Sequence, residues 1–341
     1  MFTGLSAFPL TPLDDDGKLD EAAFVRLVAR LVEAGVQSIG ALGSTGSYAY
    51  LSRAERARTA RLAVEAAQGV PVMIGIGAVR TEHVLEHAVD AQDAGAAAVM
   101  LAPVSYQALT EDEVFGFYDD VTRELSVPLC VYDNPGTTHF TFTDELHARV
   151  AALPNVGAIK LPGAGAAERV DVLRALVPDT VALGVSGDQF AAGALSAGAD
   201  VWFSVVGGLF PSAALSVVAE GDAASARLEP LWALFRRHGG IRVVATAAAL
   251  LGLAGERNLP RPLRLLDGAA RDEVADVLAA LARPLDGEPA AALEAAARPL
   301  RPHDGAPRAE PAAALEAAAR PLRPHNGAPR AEPAAALEAR G

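Results

Sequence analysis

The sequence predicts a closed (β/α)8 barrel of the α/β class, the TIM-barrel architecture, followed by additional C-terminal helices and a low-complexity repeat tail. Eight short apolar runs alternate with amphipathic stretches of helical length, a pattern typical of parallel strands joined by crossover helices. Eight such units suit a closed barrel better than an open sheet. A dinucleotide-binding sheet would carry a G-x-G-x-x-G turn, and the nearest candidate, residues 75–80, lacks the third glycine.

Each strand and helix has its own signal in the sequence. The predicted strands are residues 5–8, 38–42, 70–74, 97–101, 127–132, 156–160, 180–185 and 200–203. The predicted helices between them are residues 20–34, 52–67, 81–94, 111–125, 143–153, 164–176 and 189–197. Ser52 with Glu55, and Thr110 with Glu113, have the spacing of capping boxes. Gly35 follows the first helix, as expected of a left-handed C-cap.

The C-terminal part of the chain falls into two regions. Residues 211–218, 223–237, 242–253 and 271–281 have helical patterns, so residues 1–210 are assigned to the barrel and residues 211–285 to its last helix and further helices. Residues 286–341 contain two 22-residue units, 288–309 and 310–331, which differ only at Asp304 and Asn326. Their prolines break helices and their large apolar side chains are few, so this tail is expected to be disordered.

Composition excludes several classes of function. The 341 residues are 51% hydrophobic, which is enough for a sizeable core, and the net charge is -13. A nucleic-acid partner needs clustered positive charge, so none is expected. Cys130 is the single cysteine, which excludes an intramolecular disulfide and a thiolate metal cluster. The sequence has neither a membrane-length apolar run nor a signal-peptide pattern, so we expect a cytoplasmic protein without a membrane partner.

One motif has the form of a metal site. His83 and His87 belong to an H-x-x-E-H pattern on a predicted helix. Val84, Ala88 and Ala91 form the inward face of that helix, which turns both histidines towards solvent, and no third ligand accompanies them. We therefore expect a solvated helix face, no metal and no cofactor.

Lys160 is the most informative residue of the chain. The sequence has two lysines and 27 arginines, and Lys18 lies in a polar turn. Lys160 instead ends the sixth predicted strand, where partial desolvation would lower its pKa. A neutral amine in a pocket attacks carbonyl groups and forms Schiff bases. The alternative is a lysine that closes the strand with its charged end in water.

Two other predicted strands are followed by or end in residues that can bind or react with a substrate. The loop Gly43-Ser44-Thr45-Gly46-Ser47 follows the second strand and has backbone N–H groups and hydroxyls suited to an anion, although an ordinary turn has the same composition. Tyr132 ends the fifth strand, where a phenol shuttles protons or simply packs as a half-buried ring. Because barrel strands meet at one end, the amine, the phenol and the loop are expected to lie together.

Four segments in this order resemble a known family. They are Gly43-Ser44-Thr45-Gly46, Tyr132 with Asn134-Pro135, Gly157-Ala158-Ile159-Lys160 and Ser186-Gly187-Asp188. They resemble the signature positions of the dihydrodipicolinate synthase and N-acetylneuraminate lyase family, from about residue 3 to about residue 283. The resemblance implies a class I, pyruvate-type aldolase or related lyase that acts on a small 2-oxo acid, needs no metal and assembles as a homotetramer, a dimer of dimers.

The resemblance also implies roles for single residues. Lys160 would form the imine, Tyr132 would relay protons, and Thr45 would complete the catalytic set. The substrate would contact the residues of the loop and of three later segments. These are Ser44, Thr45 and Gly46 around the carboxylate, Ser186 and Gly187 with Asp188 at the floor, and Val206 with Gly207 at the mouth. Tyr106 and Thr137 are further candidate substrate contacts.

Three positions depart from the family pattern. Thr137 stands where dihydrodipicolinate synthases place an arginine for a second carboxylate, which argues against aspartate semialdehyde as the electrophile. Ser47 replaces a frequent glutamate. Relatives lend a tyrosine at the position of Ser105 to a neighbouring subunit, so either Tyr106 substitutes for it or the relay is shorter. These departures leave two alternatives: a non-catalytic 2-oxo acid-binding homologue, and a dehydratase or decarboxylating lyase using the same imine.

Overall fold

A computed structural model of the protein describes residues 1–282 and shows the expected closed barrel. Its eight parallel strands follow one another in chain order, and β1 closes the barrel against β8. The strands are β1 (Gly4–Ala7), β2 (Ser38–Ala41), β3 (Val72–Gly75), β4 (Ala98–Leu101), β5 (Leu129–Tyr132), β6 (Val156–Leu161), β7 (Ala182–Val185) and β8 (Val201–Ser204). The predicted fold class is therefore confirmed, and each predicted strand lies within three residues of an observed one.

Helices surround the barrel and continue beyond its last strand. They are α1 (Glu21–Ala34), α2 (Arg53–Ala66), α3 (Thr81–Asp93), α4 (Glu111–Arg123), α5 (Pro135–Thr138), α6 (Asp144–Ala151), α7 (Ala166–Arg174), α8 (Ala191–Ser196), α9 (Pro211–Glu220), α10 (Asp222–Arg227), α11 (Glu229–His238), α12 (Gly240–Leu250) and α13 (Gly268–Ala282). Both capping boxes form, at Ser52 and at Thr110. Within this part of the chain, no helix combines the length and the apolar composition that a bilayer span requires.

Strand alternation decides which side chains enter the barrel. On β5, Cys130 and Tyr132 join the interior cluster, while Leu129 and Val131 pack against the helices. On β6, Ala158 lies in the interior cluster. Because successive side chains of a strand point to opposite faces, Lys160 shares the inward face with Ala158. Cys130 is thus a free thiol buried in the barrel interior, where it packs as a small apolar side chain.

Two predicted helices are divided in the structure. Residues 223–237 form α10 and α11 rather than one helix, with the break at Leu228. Pro230 explains the break, because it lacks the N–H that would continue the hydrogen bonding of α10. Residues 188–190 form a 3-10 turn before α8 begins. The repeat tail lies outside the described residues, and the boundaries assigned at residues 210 and 285 stay predictions.

Candidate active site

A cavity of about 360 Å³ opens at the carboxyl ends of the strands. Its wall consists of Phe8, Ser44, Thr45, Tyr132, Asn134, Pro135, Gly136, Lys160, Pro162, Gly163, Ser186, Gly187, Phe203 and Val205. Barrel enzymes place their reacting groups at this end, because the loops that follow the strands converge there. The cavity therefore unites six residues predicted from the sequence: Ser44, Thr45, Tyr132, Lys160, Ser186 and Gly187.

The Lys160 amine lies at the bottom of the cavity among aromatic rings. Its Nζ is 3.8 Å from the ring centroid of Tyr132, 4.4 Å from that of Phe8 and 5.6 Å from that of Phe203. The residue is 5% exposed, and burial lowers its pKa from 10.5 to about 8. Ring faces attract a cation, but here the loss of hydration is the larger effect. At pH 7.5 roughly a quarter of the amine is neutral.

Tyr132 pairs with Lys160 across neighbouring strands. The two residues lie opposite each other in the register of β5 and β6, which brings the phenol beside the amine. Burial raises the pKa of Tyr132 to about 12, and the Ser44 hydroxyl moderates that rise. The phenol is consequently protonated at neutral pH and has a proton to donate.

The loop after β2 is shaped by close backbone packing. The Ser47 N–H donates to the Ser44 carbonyl at 3.0 Å and closes a turn. A Cβ at Gly46 would lie 3.1 Å from the Leu42 backbone, so this glycine permits a tight approach and lies behind the cavity wall. Thr45 is buried and Ser44 exposed, and both face the cavity.

The segment after β7 forms another side of the cavity. The Ser186 hydroxyl donates to the Leu161 carbonyl at 2.9 Å, which fixes it beside the end of β6. Gly187 has a φ of 82°, a conformation that favours glycine. Asp188 differs from the expectation, because it is buried behind the wall and does not form the floor. Its carboxylate accepts hydrogen bonds from the Val205 and Val206 N–H groups.

Six predicted site residues do not line this chain's cavity: Gly46, Tyr106, Thr137, Asp188, Val206 and Gly207. Val206 is fully buried in the outer core, since the 3-10 turn that begins there directs it away, and Val205 lines the cavity instead. Thr137 is exposed on α5, and its neighbour Gly136 faces the cavity. Tyr106 is 92% exposed in the loop after β4 and touches no part of this chain's cavity wall.

Sequence reasoning missed several wall residues. Phe8 lies directly after β1 and Phe203 on β8, and their rings meet edge to face with centroids 6.1 Å apart. Their signal was available, because aromatic side chains at strand ends of matching parity point into a barrel. Pro162 and Gly163 directly follow Leu161, the last residue of β6, and their role in the wall depends on the path of that loop.

The histidine pair of α3 is only partly solvated. His83 is exposed as predicted, but His87 is half-buried, and its Nδ1 has no hydrogen-bond partner. Burial lowers the pKa of His87 to about 4, with Arg56 as the next cause. The prediction that both histidines face solvent was therefore wrong for His87. Among residues 1–282, no group of three or more acidic, histidine or cysteine side chains is arranged to hold a metal ion.

A barrel whose interior lysine and tyrosine face a cavity at the strand ends has the architecture of the aldolase and lyase class. The family model described as the dihydrodipicolinate synthetase family matches residues 1–281, and the chain belongs to that family.

Several relatives are similar over most of their length. A 4-hydroxy-tetrahydrodipicolinate synthase of Salinibacter ruber is 29% identical, covering 82% of this chain and 98% of the relative. A 4-hydroxy-tetrahydrodipicolinate synthase of Oleidesulfovibrio alaskensis is 32% identical, covering 76% of this chain and 92% of the relative. The crystal structure of dihydrodipicolinate synthase from Agrobacterium tumefaciens is 45% identical with a TM-score of 0.79, covering 82% of this chain and 98% of that chain.

Proposed function

We propose that the protein is a Schiff-base-forming lyase or aldolase that acts on pyruvate or another 2-oxo acid. The observation that carries this proposal is the buried Lys160 amine, with a pKa lowered to about 8, held 3.8 Å from the ring centroid of Tyr132 inside a cavity. A strongly perturbed titratable group in a cleft is typical of catalytic sites. Membership in the dihydrodipicolinate synthetase family supports the same chemistry.

The proposed reaction begins at the Lys160 amine. Neutral Nζ attacks the ketone carbon of the 2-oxo acid, and the carbinolamine oxygen takes up a proton and leaves as water. Tyr132 is the proposed donor and acceptor of these protons, since its hydroxyl stays protonated at neutral pH. Ser44 and Thr45 are the proposed partners of the substrate carboxylate, through their hydroxyls and backbone N–H groups.

The protonated imine then withdraws electrons from the neighbouring carbon. Loss of a proton from that carbon gives an enamine, which attacks an aldehyde and forms a carbon–carbon bond. The reverse direction cleaves a 2-oxo-4-hydroxy acid by the same steps, and hydrolysis of the imine restores Lys160. A dehydratase or decarboxylating lyase would share the imine and differ in the bond that breaks next.

Reductive trapping tests the proposal. Wild-type protein incubated with pyruvate and borohydride is expected to gain one reduced three-carbon adduct on the peptide that contains Lys160. The initial trapping rate should rise with pH through about 8, because the neutral fraction of the amine rises there. Lys160→Arg should give no adduct, and Lys18→Arg, at the exposed second lysine, should react like wild type. Equal labelling of both lysines would contradict a Schiff base at Lys160.

A second candidate function is a non-catalytic homologue that binds a 2-oxo acid without turnover. It was motivated by Ser47 and Thr137, and neither side chain lines the cavity. Release of pyruvate from a 2-oxo-4-hydroxy acid would distinguish turnover from binding alone.

The oligomeric state and location belong to the same proposal. We infer a dimer of dimers, supported by the exposed apolar side chains Tyr50, Val79 and Tyr106 on the loops after β2, β3 and β4. Light scattering should then give the mass of four chains. A cytoplasmic location stays a prediction.

A further inference from the structure

The charge of the cavity wall limits what the far end of a substrate can be. Among the described residues, Lys160 is the only charged side chain in the wall. The other polar groups are the neutral side chains of Ser44, Thr45, Tyr132, Asn134 and Ser186. The cavity therefore offers one positive charge to whatever it binds.

The carboxylate of one 2-oxo acid group neutralises that positive charge. The protonated imine keeps the positive charge of Lys160, and the carboxylate next to the ketone balances it. A second carboxylate at the far end of the substrate would have no cation to pair with in this cavity. Removing an ionised carboxylate from water without a partner is strongly unfavourable. Hydroxyl groups need no counter-ion and accept the hydrogen bonds of neutral side chains.

The nearby guanidinium of Arg169 does not supply the missing charge. Arg169 lies on α7, outside the cavity wall, and its two terminal nitrogens are paired with Asp133 at 3.3 Å and Asp144 at 2.6 Å. The chain as a whole carries a net charge of -13, which further disfavours the approach of a dianion.

The described residues at the mouth of the cavity are uncharged. Gly136, Gly163 and Gly187 lie there beside prolines that precede two of them. A Cβ at Gly163 would lie 2.4 Å from the Phe190 ring, so this glycine has no room for a side chain. Apart from its chain neighbours and the backbone of its own helix, no atom of the described residues lies within 4 Å of the Cβ position of Gly136. It is the position of this mouth at which a longer side chain fits without a clash.

We propose that this site takes 2-oxo acids whose far end is uncharged, such as a hydroxymethyl group, and excludes those that end in a second carboxylate. This inference rests on the proposed function, because it assumes that the keto end of the substrate reaches Lys160.

Two five-carbon substrates that differ only at the far end test the inference. One is 2-oxo-4,5-dihydroxypentanoate, which ends in CH2OH, and the other is 2-oxo-4-hydroxypentanedioate, which ends in a carboxylate. Each forms an imine through its own ketone, so the half-saturating concentration for borohydride trapping on Lys160 needs no cleavage step. The neutral-ended acid is expected to half-saturate at a concentration lower by about tenfold or more. Equal values, or a preference for the dianion, would overturn the inference.

Substitution of Gly136 makes the test specific to charge. Gly136→Arg places a guanidinium at the mouth, and it should reduce the ratio between the two half-saturating concentrations by about tenfold. Gly136→Gln is the matched control, because it has similar length and no charge, and it should keep the wild-type ratio. If the glutamine variant changes the ratio as much as the arginine variant, the selectivity comes from shape and the inference is wrong.

Trapping with pyruvate distinguishes a failure of the proposed function from a failure of the charge selectivity. Its reaction with Lys160 does not depend on the far end of any substrate. A missing pyruvate adduct would refute the proposed function. A normal pyruvate adduct with indifference between the two five-carbon acids would refute the charge selectivity alone.

Discussion

Two buried carboxylates lie on opposite sides of the strand that carries Lys160, and different partners hold them. Asp188, after β7, accepts hydrogen bonds from four donors among residues 1–282, and all four are neutral. These donors are Trp202 Nε1 and Ser204 Oγ at 3.0 Å, the Val205 N–H at 3.1 Å and the Val206 N–H at 3.0 Å. Asp133, at the end of β5, lies 3.3 Å from the Arg169 guanidinium and 3.5 Å from His147 Nε2. Its Oδ1 has no hydrogen-bond partner in the described part of the chain.

The two carboxylates have similar pKa values but different structural roles. Burial raises the pKa of each to about 6, opposed at Asp188 by neutral hydrogen bonds and at Asp133 by Arg169. Asp188 fastens the end of β8 and the following turn to the segment after β7, both of which form the cavity wall. Arg169 pairs with both Asp133 and Asp144. If Asp133 is replaced, Arg169 therefore still has an ion pair with Asp144. The four neutral donors around Asp188, here called the neutral cage, should therefore contribute more to stability than the ion pair between Asp133 and Arg169.

Removal of the Asp188 carboxylate should have the largest effect. Asp188→Ala leaves four donors unsatisfied, two of them on the backbone, and should lower the free energy of unfolding by about 5 kcal/mol. Asp188→Asn keeps one acceptor oxygen for the three donors on Oδ1, so its loss should be about 2 kcal/mol. Guanidinium unfolding measures both. If alanine and asparagine cost the same, the hydrogen bonds are not what holds this wall.

Lys160 lies on the strand between these two carboxylates, and among the described residues it has neither an ion-pair partner nor a set of hydrogen bonds. Its replacement should therefore raise the free energy of unfolding instead of lowering it. Its pKa is about 8 in the folded protein and 10.5 without burial, so the unfolded chain binds more protons between these values. The lysine therefore destabilises the fold below pH 8, and this cost disappears as the pH rises to 10.5. Lys160→Met should raise the free energy of unfolding by about 3 kcal/mol at pH 7.

Urea unfolding at pH 7 and pH 10 tests the sign of this effect. The gain in the methionine variant should shrink to below about 1 kcal/mol at pH 10, where the wild-type amine is neutral in the fold. Lys18→Met is the matched control, because the Lys18 side chain is exposed, and its stability should stay at the wild-type value at both pH values. A methionine variant that is less stable than wild type at pH 7 would show that the ammonium is stabilised inside the cavity.

The sequence predicted the Lys160 side of the site better than the two carboxylates. The inward direction of Lys160 and Tyr132 follows from strand alternation, which depends only on local periodicity. Their proximity follows from the pairing of consecutive strands in a barrel. The family resemblance of the Ser186-Gly187-Asp188 segment implied that Asp188 lies at the floor. Its true direction depends on donors from β8 and the turn after it, fourteen to eighteen residues away, which no local pattern reveals.

The remaining differences have the same origin. Val205 rather than Val206 reaches the cavity because a 3-10 turn interrupts the alternation of β8, and turn type is weakly encoded in a Val-Val-Gly-Gly segment. The Arg169 cluster consists of Arg169 on α7, Asp144 and His147 on α6, and Asp133 directly after β5. It forms only when these helices pack against the barrel. Periodicity predicts which face a residue occupies, whereas packing decides which distant residue it meets.

Substitution of Asp133 should have the smallest effect and thus completes the comparison. Asp133→Asn retains an oxygen for Arg169, which also keeps Asp144, so the free energy of unfolding at pH 7.5 should stay within about 1 kcal/mol of wild type.

The pH dependence of this variant gives the sharper test. The folded pKa of Asp133 is raised from 3.8 to about 6, so its stabilising contribution is complete below pH 3.8 and is lost as the pH rises through 6. Between pH 7.5 and pH 5 the wild type should therefore gain about 1 kcal/mol relative to Asp133→Asn. Asp144→Asn, at the more exposed carboxylate of the cluster, is the control. A difference between wild type and Asp133→Asn that does not change with pH would mean that Arg169 keeps Asp133 ionised, and that this ion pair is as firmly held as the neutral cage around Asp188.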